Sequence, residues 1–276
     1  MYSMAITYLA AKYNVQESII EKCIGLSAST HEITKEDAST TIYEIDSTPI
    51  LVCHKSDIGG RPSNEDAHAV KTLKIKGESV LLAAVFDGHG GPEVSNILSK
   101  EFVEFLEDKL DKFGITEENL INSFVEYDES LRERFHSGST ATMALVTPDK
   151  IWLANLGDSR TIVFTPSGEI KMRTVDHKPG DPEEKARIEA AGGMVIRYGV
   201  PRVNGNLAVS RAFGDFSETD KPISQPYSIS NIPTIYQLER REPLYIFLGC
   251  DGIWDVLGNQ EVSENYHHHL SNEDQK

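Results

Sequence analysis

Leu82, Ala83, Ala84, Val85 and Phe86 form an unbroken apolar run that stops at Asp87-Gly88-His89-Gly90-Gly91. A short apolar run bounded by turn residues predicts a buried strand. The strand ends in a carboxylate and an imidazole on a backbone with three glycines and little steric cover. Such a corner suits a hard cation: Asp87 offers oxygens, and Gly88 lets a backbone carbonyl come close. The plainer reading is a tight turn that happens to contain Asp and His.

The chain has 276 residues, enough for one large domain or two small ones with a substantial core. Its apolar runs are far shorter than a membrane span. The opening MYSMAITYLAAKY lacks a basic segment followed by a long apolar one and is poor in Arg, so no targeting peptide is expected and cytoplasm or nucleus is predicted. Three cysteines, Cys23, Cys53 and Cys250, without CxxC spacing, argue against a disulfide framework and a thiolate zinc site. A formal charge of −16, from 27 basic and 43 acidic residues, opposes binding to nucleic acid or an anionic membrane. Bound divalent cations would neutralise part of that acidity; a merely soluble acidic surface is the alternative.

Residues 1–47 read as an N-terminal extension, with a helix over 14–26 carrying Val15, Ile19, Ile20, Cys23 and Ile24. Strands are expected over 50–57 and 79–87, and amphipathic helices over 93–113 and 117–135, the first facing inward through Val94, Ile97, Leu98, Phe102, Phe105 and Leu110. The stretch from Ser137 to Ile170 predicts a three-stranded meander. A short helix over 181–191 is closed by Gly192-Gly193, residues 194–232 read as irregular, and the chain re-enters the core at 244–257. Trp152, Trp254 and Cys250 read as core residues, and His267-His268-His269 as a solvated tail rather than a weak soft-metal site.

Acidic residues recur where apolar runs stop beside glycine: Glu65-Asp66, Asp87, Asp158, and Asp251 with Asp255. Strand-end carboxylates from separate parts of a sheet can converge on one edge, where they would raise one another's pKa values unless neutralised. Mg²⁺ or Mn²⁺ resolves that conflict, and an all-oxygen set argues against zinc. A helix starting at Asp251 would present Asp255 on the same face. Arg61, four residues before Glu65, is suited either to bidentate phosphate binding or to a structural ion pair with one of the carboxylates.

RPSNEDAH, VFDGHGG, SGSTATMALV, ANLGDSR, DHKPGDPEEKARIEAAGG, NGNLAVSRAFGD and GCDGIWDVL occur in the order seen in metal-dependent Ser/Thr protein phosphatases of type 2C, which residues 50–262 resemble. The resemblance implies an α+β fold, a four-layer αββα sandwich of two mostly antiparallel sheets flanked by helices, with a catalytic domain over 48–276 and a flap about 181–232 bordering the substrate groove. It implies two Mg²⁺ or Mn²⁺ ions and a weaker third. Asp87 resembles the bridging ligand, the Gly88 carbonyl the backbone ligand of the first ion and Asp251 a ligand of the second. Glu65 and Asp66 resemble the pair that orients metal-bound waters, and Asp158 and Asp255 the carboxylates of a weaker third site. Arg61 matches the phosphate-binding arginine and His89 the proposed general acid.

The implied reaction is hydrolysis of phosphoserine and phosphothreonine in proteins, a water between two cations attacking phosphorus in line. Phosphorylated proteins are the expected partners and a monomer the expected state. A catalytically weak relative that binds phosphoproteins or a partner is the alternative. A cysteine-nucleophile phosphatase and a metal-dependent nuclease are disfavoured. Arg211 and Asp215 are expected to pair near the site. The family pattern would continue past DGIWD with a helix, further strands and an Asp-Asn pair supplying another ligand of the second ion. Here NQEVSE leads to NYHHHLSNEDQK, in which Asp274 has no apolar strand before it. Asp87 and Asp251 would then be the second ion's direct ligands, and an open sheet edge is expected where the last strands are lacking.

Overall fold

The computed structural model describes residues 4–11, 38–132, 134–216 and 228–264. The expected helix over 14–26, Cys23, His267-His268-His269 and Asp274 lie outside them. The chain begins β1 (Met4–Ala11), β2 (Ala38–Ile45), β3 (Thr48–Asp57), β4 (Ala67–Ile75), β5 (Glu78–Phe86) and the two-residue β6 (Gly88–His89). Helices α1 (Glu93–Ile97) and α2 (Val103–Phe113), joined by a π-helical turn at Leu98–Phe102, precede α3 (Glu117–Leu131). Then come β7 (Gly138–Ser139), β8 (Ala141–Val146), β9 (Lys150–Leu156), β10 (Arg160–Phe164), β11 (Ile170–Arg173) and α4 (Pro182–Ala190). Last are β12 (Val195–Tyr198), β13 (Val200–Val203), β14 (Phe213–Gly214), β15 (Thr234–Glu239), β16 (Tyr245–Gly249) and α5 (Asp251–Trp254).

Two antiparallel sheets face each other, one of order β11-β10-β16-β1-β3-β2 and one of order β15-β9-β8-β5-β4. The unbroken apolar run of β5 follows from this arrangement, because both of its faces are buried. Leu82, Ala84 and Phe86 pack toward the helices with Leu98, Phe102, Phe124 and Phe213, while Leu81, Ala83 and Val85 meet Val52, Ile246 and Leu248 between the sheets. The helical layer covers the five-stranded sheet, and Phe102 meets the Phe124 and Phe213 rings at 5.0 and 5.1 Å. On the outer face of the six-stranded sheet, Ile253, Trp254 and Val262 cover Leu51, Cys53, Ile162 and Phe247. The α+β sandwich is the expected one.

The expected meander is not formed. β8 pairs with β9, but β10 leaves that sheet and pairs with β11 and β16 in the other. The switch occurs at Gly157, whose φ of +99° turns the chain. Periodicity predicts strands correctly here, yet it carries no information on which sheet a strand joins. The insertion read as irregular contains an antiparallel hairpin, β12 with β13, turning at Tyr198-Gly199-Val200.

Two parts of the region read as an extension are strands of the six-stranded sheet. β1 lies between β16 and β3, and β2 pairs with β3. β16, the strand that leads into Asp251, therefore has hydrogen-bonded neighbours on both sides, β1 and β10, rather than an open edge.

Register places the site. Ala67 stands opposite Phe86, so Asp66 and Asp87 leave the β4–β5 pair at the same end. Arg160 stands opposite Gly249, which brings Asp158 and Asp251 out at one end of the other sheet. A three-stranded ribbon, β14-β7-β6, sets Gly214, Gly138 and His89 abreast beside them.

Candidate functional site

The carboxylates named from sequence at these strand ends face one another. Asp87 and Asp66 share a side-chain hydrogen bond, and Asp251 and Asp158 add their charge to the same spot. Burial first, then these three neighbours, push the Asp87 carboxyl well above the usual range. Asp251 is pushed up to about 6 by burial and by Asp158 and Asp255, with Lys178 opposing. α5 starts at Asp251, and the Asp255 amide donates to the Asp251 carbonyl at 2.9 Å, so the two acids share one helix face. Lys178 Nζ donates to Asp158 Oδ2 and offsets part of the negative charge.

This donor set fits hard divalent cations. One ligand atom each of Asp66, Asp87 and Cys250 lies within 4.8 Å of the others, yet the Cys250 sulfur is itself a donor to Asp66 Oδ2 at 3.4 Å and leaves oxygens as the ligating atoms. Like charges gathered at the end of a buried sheet destabilise the fold unless protons or cations neutralise them.

Gly88 has a second reason to be glycine besides a free carbonyl. A Cβ there would overlap the Glu65 carbonyl oxygen, the same oxygen that accepts a hydrogen bond from Ser95 Oγ. Glu65 is thereby fixed by its backbone to the Gly88 turn and to α1, and its charge acts on His89.

His89 Nε2 lies 2.6 Å from Asp215 Oδ2. Burial opposes charging the imidazole, but the Asp215 hydrogen bond and the charges of Asp215, Asp158 and Glu65 outweigh it and raise its pKa. Asp215 reaches His89 across Gly138, where a Cβ would collide with both side chains. It does so in a left-handed conformation, φ +56°, which costs a non-glycine residue roughly 1 kcal/mol. Arg61 is exposed on the loop between β3 and β4, and among the described residues its side chain forms no ion pair, so the structural-pair reading has no partner there.

Residues 57–276 match the model of the family described as Protein phosphatase 2C. The chain belongs to the protein phosphatase 2C family. It is 38% identical to human Protein phosphatase 1B over 75% of this chain, and spans 47% of that relative, about half its length. It is 36% identical to Protein phosphatase 2C 1 of Paramecium tetraurelia, covering 83% of this chain and 80% of that one. A crystal structure of a phosphatase from a pathogenic Toxoplasma gondii strain shares the fold, with a TM-score of 0.67, 22% identity and coverage of 98% and 86%.

In this phosphatase 2C chain, one expected pairing is corrected. Arg211 does not pair with Asp215; its guanidinium Nε and Nη2 both donate to Glu184 Oε1 on α4, and Nη1 donates to the Ile232 carbonyl. Asp215 instead serves His89. The reason is topological: Arg211 sits before the β14 ribbon and Asp215 after it, so the two face different neighbours. Lys178, not singled out from sequence, stands within the acidic cluster through Asp158. Trp254 and Cys250 are buried and Trp152 packs partly buried against the core. Asp128, not singled out from sequence, is a carboxylate on the apolar face of α3 beside Phe124, Tyr127 and Leu131. That interruption of an apolar stripe was the signal available.

Proposed function

We propose that this chain hydrolyses phosphoserine and phosphothreonine in proteins with Mg²⁺ or Mn²⁺. The observation that carries the reading is the juxtaposition of the Asp66–Asp87–Asp158–Asp251 cluster with the His89–Asp215 pair. Asp87, with the Gly88 carbonyl and Asp251, would hold two cations; Glu65 and Asp66 would orient waters, and Asp158 and Asp255 would hold a third ion weakly. When bound, such ions supply Lewis acidity and lower the pKa of water toward neutrality.

The residues of this chain do the rest. Arg61, exposed and unpaired among the described residues, binds phosphoryl oxygens in bidentate fashion. Asp215 holds His89 Nε2 and favours the protonated imidazole, which leaves Nδ1–H to meet the departing alkoxide. A serine or threonine alkoxide is a poor leaving group, so proton donation matters for these esters. Burial and the neighbouring carboxylates raise the Asp87 pKa, so protons and cations compete for this carboxylate.

Phosphothreonine-peptide hydrolysis by the 276-residue chain, titrated with Mn²⁺ and Mg²⁺ beside Asp87→Asn, tests the reading. Metal-dependent turnover that the variant lacks is expected. Folded protein without turnover at millimolar metal would refute it.

A further inference from the structure

We propose that Asp128 is a positioning residue that sets the His89–Asp215 pair through the backbone of Gly214, an inference that rests on the general-acid reading of His89. Asp128 lies on the face of α3 that also buries Leu120, Phe124, Tyr127 and Leu131, and it is only 2% exposed. Among the described residues no lysine or arginine pairs with it. Its Oδ1 accepts the Gly214 N–H at 2.7 Å and its Oδ2 accepts Asn231 Nδ2 at 2.9 Å. A carboxylate inside an apolar helix face is costly, so a helix selected for packing alone would carry a leucine there.

The geometry beyond Gly214 shows what the bond does. Gly214 and Asp215 are successive left-handed residues, φ +77° and +56°. Among the described residues the Asp215 amide makes one long bond, 3.5 Å, to the Ser137 carbonyl. Gly214 lies abreast of Gly138, and Gly138 abreast of His89, so a shift of Gly214 moves Asp215 across the ribbon relative to the imidazole. Asp128 holds Gly214 from the helical layer, a rigid element packed on the five-stranded sheet. Through Asn231 the same carboxylate anchors the segment that returns from the 194–232 insertion: Asn231 follows Ser230, which bonds to Ser210 and Ala212.

The test compares Asp128→Ala and Asp128→Asn in the full chain at saturating Mn²⁺, with His89→Ala as reference. Turnover of a phosphothreonine peptide is measured against p-nitrophenyl phosphate, whose leaving group needs no acid, and the His89 side-chain nitrogens are followed by ¹⁵N NMR. Asp128→Ala is expected to lower kcat on the peptide about tenfold while changing p-nitrophenyl phosphate turnover less than about twofold, since a misplaced acid loses part of its contribution. It is also expected to shift the His89 Nε2 resonance. Asp128→Asn is expected to restore both, because the amide oxygen still accepts the Gly214 N–H and a flipped Asn231 amide can turn its oxygen to the new NH₂ group.

Equal losses on the two substrates, or an unmoved Nε2 resonance in Asp128→Ala, would overturn the proposal. If His89→Ala shows no selective loss on the peptide, the general-acid reading falls, and the resonance alone then decides the positioning by Asp128. Should the alanine variant not fold, Asp128→Ser, too short to reach Gly214, carries the same expectations.

Discussion

His89 Nε2 and Asp215 Oδ2 meet at 2.6 Å although they lie 126 positions apart in sequence, and they do so across a glycine at position 138 that leaves room for the contact. A carboxylate so placed raises the imidazole pKa against the opposing effect of burial.

Asp215→Ala should therefore impair proton donation selectively. Turnover of a phosphothreonine peptide is expected to fall about 10- to 100-fold, and of p-nitrophenyl phosphate far less, because general acid catalysis contributes about 10²–10⁴ where the leaving group is basic. Steady-state kinetics on both esters at saturating metal decides it; a uniform loss would assign Asp215 to folding instead.

The acidic cluster ties stability to pH and to metal. Asp251 titrates at about 6 in the folded protein, above the usual carboxylate value, so its protonated form is the one the fold favours. The stability this group contributes is fully present below about pH 4 and is lost as pH rises through about 6. Asp87 is shifted in the same direction. In EDTA the urea midpoint should fall between pH 4.5 and 7, and millimolar Mg²⁺ should restore it most at the upper end. A midpoint indifferent to Mg²⁺ at pH 7 would contradict the fit of the site to cations.

Gly88→Ala introduces a Cβ onto the Glu65 carbonyl oxygen, which is also committed to Ser95. Both neighbours are backbone or buried, so neither can yield cheaply. Destabilisation of about 1–3 kcal/mol is expected by chemical denaturation, with weaker metal binding by calorimetry, as for other overpacked sites.

Thr7 stands opposite both Leu248 of β16 and His54 of β3. A proline there removes a ladder donor from a strand paired on both sides and leaves a carbonyl unsatisfied, at a cost of about 1–3 kcal/mol. Thr7→Pro should lower the denaturation midpoint and, by loosening β16, weaken metal binding at Asp251. A variant as stable as the parent would place β1 outside the sheet.

The elements that sequence made legible were those with a local signature. β5 shows as an apolar run because both its faces are buried, and Asp87 shows because the run stops at glycines. The same grammar marked Asp158 and Asp251, and Asp255 followed from one helical turn. Partnerships between distant residues left no such trace. Arg211 and Asp215 are four positions apart and opposite in charge, the usual basis for pairing them, yet Glu184 and His89 claim them. Strand identity was likewise readable while sheet membership was not, as β10 shows.

Amino-acid order alone thus determined where the buried strands stop and which carboxylates stand at their ends, because burial and turn chemistry act between near neighbours. Tertiary structure alone decided that Asp66 meets Asp87, that Lys178 reaches Asp158, and that Asp128 holds Gly214 behind the His89–Asp215 pair. Those contacts depend on register and on the crossing of the chain between sheets, which are set by packing of the whole core and not by any local run of residues.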